Sequence, residues 1–147
     1  MTRSSLTFVL LCSTMRAEDA LQPLNIKPGL WEITRVREVN GKTEVKRSCV
    51  RKEDLTKPFV DYRARGPYCT RTIITSTASL QEIRNECRFA EGGETGTLRM
   101  EVVDSGNVTG TRKLIALDGS MGENRTSNHS YIFTAKWIGP SCTVPKK

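Results

Sequence analysis

Cysteine is the residue type whose number and placement could carry chemistry in this chain, and that chemistry is oxidative cross-linking. Cys49, Cys69, Cys87 and Cys142 follow Cys12, which sits in a short apolar run near the N-terminus. No two cysteines stand two to four residues apart and His129 is the only histidine, so the ligand spacing of a zinc site is missing. Loss of Cys12 with an export segment would leave four thiols, the even number of a two-disulfide framework in an oxidising compartment.

Other reactive patterns are thinner. Cys–His or Ser–His nucleophilic catalysis must pass through His129, and no partner stands at an identifiable spacing. Its parity puts it on the face of Tyr131, Phe133 and Trp137, which reads as a rim position at a strand start. Glu82 and Glu86 share one strand face, with Glu94 and Glu101 nearby, but alternating charges are the ordinary pattern of a solvated face. Gly92-Gly93-Glu94-Thr95-Gly96 is glycine-rich, lacks the lysine of a phosphate loop and is flanked by strands, so it reads as a turn. The expectation is a non-enzymatic domain with no metal and no cofactor.

The elements that hold these residues fit one domain of 147 residues. Residues 1–17 have the parts of an export signal: Arg3, the apolar stretch Leu6–Cys12, and Ala17 as a small residue for cleavage. Leu11 stands where a lipoprotein signal has a small residue, which argues against acylation at Cys12. No stretch reaches the ~20 apolar residues of a membrane-spanning helix. The net charge is +7, and cleavage after Ala17 removes Arg3 and Arg16 and no acid, leaving +5. A basic surface favours anionic partners such as lipid head groups, while export argues against nucleic acid. After a linker over 18–25, the domain is expected over 26–142, with a tail over 143–147.

From Asn25 onward, short period-two segments alternate with Gly, Pro, Asn and Ser clusters, the pattern of an antiparallel all-β protein. Segments 30–39 and 43–50 flank Asn40-Gly41, read as a two-residue type I′ turn. Residues 51–57 lack alternation and read as a helical turn or loop closed by Pro58. Segments 68–77 and 79–89 form a hairpin about Ala78, which sets Ile73 opposite Ile83, Arg71 opposite Asn85 and Cys69 opposite Cys87. Segments 95–103, 108–117 and 129–138 follow, with 118–128 as a polar loop. The architecture predicted is a single antiparallel meander of about seven strands, forming a curved sheet or an up-and-down barrel, open or closed.

Four cysteines allow three connectivities. The hairpin register selects Cys69–Cys87 and leaves Cys49–Cys142. Trp31, Ile33, Tyr131, Phe133 and Trp137 come from the first and last strands, share an inward face, and are the candidate lining of an apolar pocket.

Lys27-Pro28-Gly29-Leu30-Trp31-Glu32-Ile33-Thr34, the four spaced cysteines and the terminal Lys136-Trp137-Ile138-Gly139-Pro140-Ser141-Cys142 resemble the bacterial exported family DUF3617, from about Ile26 to Cys142. The resemblance implies an envelope or secreted β-rich protein and no reaction. The expectation is a periplasmic or secreted binding module for an apolar, lipid-like or anionic amphipathic molecule. The alternative is an envelope protein that binds another protein or serves a structural role.

Overall fold

Strands form where side chains alternate between apolar and polar, and one face of the resulting sheet collects the apolar set. The computed structural model of the protein describes residues 21–59, 68–90, 92–118 and 125–143. The export segment with Cys12 and residues 144–147 of the tail lie outside the described residues. Eight strands make one antiparallel sheet: β1 (Gly29–Arg37), β2 (Thr43–Val50), β3 (Cys69–Ser76), β4 (Leu80–Phe89), β5 (Gly92–Asp104), β6 (Asn107–Asp118), β7 (Arg125–Asn128) and β8 (Tyr131–Gly139). A short 3₁₀ turn, Lys52–Asp54, follows β2.

The sheet order is β2-β1-β8-β6-β5-β4-β3, with β7 paired to β6 just before β8. The first and last strands are therefore neighbours, as a barrel would require, yet the sheet does not close. Among the described residues its open edges are β2 and β3, the two strands joined by the connection that contains residues 51–59.

Two hairpins differ from the sequence reading in their turns. Val36 pairs with Thr43, and the Arg37 N–H donates to the Lys42 carbonyl over 3.0 Å, so Glu38-Val39-Asn40-Gly41 form a four-residue loop. Only Gly41 takes a positive φ (65°), whereas a type I′ turn needs it at Asn40 as well. The resulting register slips by an even number of residues, so every side chain keeps its face. In the β3–β4 hairpin, Cys69, Arg71 and Ile73 face Cys87, Asn85 and Ile83 as expected. A bulge between Ile73 and Thr75 then shifts the register. The Thr77 hydroxyl accepts from the Leu80 N–H over 3.0 Å, closing a loop that has no glycine.

Two further segments are strands where a turn and a loop were expected. Gly92-Gly93-Glu94-Thr95-Gly96 belongs to β5 and pairs on both sides, with β4 and with β6. Within 118–128, Arg125–Asn128 pairs with β6 as β7. Neither segment has the alternating apolar residues that mark a half-buried strand.

The core lies on the concave face. Trp31 and Ile33 from β1, Phe133 and Ala135 from β8, Val108 from β6, and Leu98 and Met100 from β5 form one buried cluster with Leu24, Ile26, Val50 and Phe59. Leu24 and Leu21 come from the segment expected to be a linker. Its described residues, 21–25, are instead a strap: the Leu24 N–H donates to the Leu55 carbonyl over 2.9 Å and the Asn25 N–H to the Ala78 carbonyl over 2.7 Å. The fully buried Gln81 donates through Nε2 to the carbonyls of Gln22 and Thr56, at 2.8 and 3.1 Å. It thus binds the strap and the 51–59 segment to β4. Cys49–Cys142 joins the end of β2 to the chain beyond β8, and Cys69–Cys87 joins β3 to β4.

Candidate functional site

The concave face has two halves with different fates. Towards the N-terminal end of β1, the strap and the 51–59 segment cover it. Phe59 meets Trp31 edge to face with centroids 5.1 Å apart, and Trp31 has no exposed surface. Of the five residues expected to line a pocket, Trp31, Ile33 and Phe133 are thus filled core, 0, 1 and 3% exposed.

Trp137 is half-buried and serves a structural latch. Its Nε1 donates to the Pro28 carbonyl over 3.1 Å, while Trp31 Nε1 donates to the Lys27 carbonyl over 2.9 Å. Lys27 Nζ lies 4.8 Å from the Trp137 ring centroid. Gly29 between them has φ 135°, and a Cβ there would collide with the Gly139 carbonyl and crowd the Trp137 indole. The signature at both ends of the chain, proline-glycine-leucine-tryptophan and tryptophan-isoleucine-glycine, therefore closes β1 against β8.

Tyr131 is the one expected lining residue that faces an open site. Past Ile33, β1 places Arg35 and Arg37 on the concave face, opposite Phe133 and Tyr131 of β8. Arg112 of β6 stands opposite Tyr131 from the other side. The Arg35 and Arg112 guanidinium carbons lie 5.0 and 5.9 Å from the centre of the Tyr131 ring. Tyr131 itself leans edge to face on Phe133, centroids 6.2 Å apart, so the core fixes the ring that both cations meet.

Around this trio lies a cleft of about 310 Å³, walled also by Val39, Glu44, Leu114 and His129. That volume is at the lower end of the ~300–1,000 Å³ of small-molecule sites. One wall is held by Ser130, which is buried. Its hydroxyl accepts from the Leu114 N–H over 3.2 Å, its N–H donates to Asn128 Oδ1 over 2.9 Å, and its carbonyl accepts from the Glu38 N–H over 3.1 Å. These bonds fix the step from β7 to β8 against β6 and the β1–β2 loop. His129 is exposed at the cleft wall, its N–H donating to the Leu114 carbonyl over 2.9 Å.

The cleft carries three arginines against one carboxylate, Glu44. Its apolar surface comes from Val39, Leu114 and the Tyr131 ring. Such a surface can hold a short apolar chain beside an anionic group. Among the described residues, no three His, Cys, Asp or Glu side chains converge as metal ligands. The sequence reading expects basic residues to meet an anionic head group but does not single out these three. Their parity was the available signal, since Arg35 continues the inward series of Trp31 and Ile33.

Residues 26–142 match the model of the family described as protein of unknown function, DUF3617. The chain belongs to that family. No curated protein and no solved structure matches it. Among the described residues, no helix is long and apolar enough to cross a membrane.

Proposed function

We propose that this DUF3617 protein is an exported, non-enzymatic binding module for an amphipathic small molecule with an anionic group. The observation that carries the reading is the division of the concave face: one half is filled, and the other is open, basic and partly apolar around Tyr131. Two disulfides support an oxidising compartment, periplasmic or secreted. A binding role is favoured over catalysis because the cleft offers cations and an apolar wall.

Native mass spectrometry of the protein isolated without detergent from the oxidising compartment of its host tests this. A defined anionic adduct on the fully oxidised mass is the expected result. A second reading, docking of an envelope protein, draws on the convex face, where the register partners Val36 and Ile132 are 39 and 51% exposed. A clean mass together with capture of a partner that is lost on Ile132→Asp would favour that reading.

A further inference from the structure

The arginines of the cleft are placed to receive a doubly charged oxyanion. Arg35 arrives from β1 and Arg112 from β6, the strands on either side of β8, and both stand over the ring of Tyr131. Two cations drawn to one ring repel each other, and among the described residues neither has an ion-pair partner. The Nε of Arg35 is buried without a hydrogen-bond partner. An oxyanion in the cleft would meet the terminal nitrogens of these guanidiniums, whose planar fork pairs with two oxygens at once. With Arg37 added and Glu44 subtracted, the cleft has an excess of two positive charges. A phosphate monoester carries about −1.5 to −2 near neutrality and matches that excess better than a carboxylate or a sulfate ester with a single charge.

We infer that Arg35 and Arg112 form a seat for a phosphate-monoester-type dianion, carried on an amphiphile or free as inorganic phosphate. The inference rests on the cleft being the ligand site proposed above and specifies the head group it takes.

Calorimetric titration of the oxidised protein with hexyl phosphate, hexyl sulfate, hexanoate and inorganic phosphate tests it. At about pH 8, hexyl phosphate should bind roughly tenfold or more tightly than hexyl sulfate. At about pH 5, where the phosphate has become a monoanion, the two should converge. The other charged or titratable groups of the cleft are Arg37, Glu44, His129 and Tyr131. With Arg35 and Arg112 they act on both esters alike, so the ratio isolates the phosphate's own charge. Arg35→Gln and Arg112→Gln each remove one of the charges on which the preference rests, and each should abolish most of it while thermal unfolding stays unchanged. If a variant does not fold, the wild-type ratio and its pH dependence still decide.

Equal affinity for the two esters at about pH 8, or a preference that survives both glutamine variants, overturns the seat. Binding of the sulfate and carboxylate without phosphate preference overturns the seat alone. Binding of no probe overturns the ligand-site reading with it. Inorganic phosphate bound as tightly as hexyl phosphate supports the seat and assigns it to the free ion, whereas much weaker binding supports it and assigns it to a head group.

Discussion

Phe59 lies edge to face on Trp31, 5.1 Å between centroids, and it does so from a backbone φ of 66° that side chains other than glycine seldom adopt. Packing outweighs that local cost, and the contact closes the apolar half of the concave face. Phe59→Ala should lower stability by about 3 kcal/mol, because it deletes a buried ring and leaves a cavity against Trp31. Phe59→Gly should be more stable than Phe59→Ala by about 1 kcal/mol, reversing the usual order, since only glycine is unstrained there. Denaturant unfolding of the three proteins measures both differences.

The two disulfides should contribute unequally. Cys49–Cys142 spans 93 residues and Cys69–Cys87 spans 18. By loop-closure entropy, the Cys49→Ala/Cys142→Ala pair should cost about 4–5 kcal/mol and the Cys69→Ala/Cys87→Ala pair about 3. Thermal unfolding of each pair should place the first well below the second, and the reverse order would show that entropy of the unfolded chain does not govern the difference.

Much of the fold was legible where two independent signals agreed. In the β3–β4 hairpin, one register satisfied an apolar pair, Ile73 with Ile83, and a thiol pair, Cys69 with Cys87, and that register is the one found. Where a single local signal stood alone, tertiary structure prevailed. Asn40-Gly41 favours a tight turn by itself, but the β1–β2 pairing spends only Gly41 on a positive φ. Gly92-Gly93 looks like a break and is drawn straight by partners on both sides. The filling of the aromatic face was not legible, because Leu24 and Phe59 come from segments with no periodicity of their own.

Gly110 shows how tightly that face is built. It stands opposite Phe133 across the β6–β8 pair, and a Cβ there would overlap the Phe133 ring and press on the Arg99 carbonyl. Gly110→Ala should therefore destabilise by about 1–3 kcal/mol, despite the gain in strand propensity. It should also shift Phe133 against Tyr131, which near-ultraviolet circular dichroism would detect.

Asp104 sets the β5–β6 turn. Its carboxylate accepts the Gly106 N–H over 2.7 Å and the Asn107 side-chain amide over 2.8 and 3.0 Å. The Gly106 N–H above all, then the Asn107 amide, holds its pKa below the ordinary 3.8. A depressed folded pKa stabilises the protein above the unfolded value, and that contribution is lost as pH falls through the folded value. Carbon NMR titration should find Asp104 below 3.8, and the stability gap between wild type and Asp104→Ala should narrow as the solution is made strongly acidic.

The open half of the concave face is tested most directly by a proton–nitrogen NMR titration of the oxidised protein with hexanoate, an anion with a short apolar chain. Saturable shifts confined to Arg35, Arg37, Arg112, Leu114 and His129–Tyr131 are the predicted result. Shifts that centre on Val36 and Ile132 of the convex face, or none at saturating ligand, would contradict a binding site in the cleft.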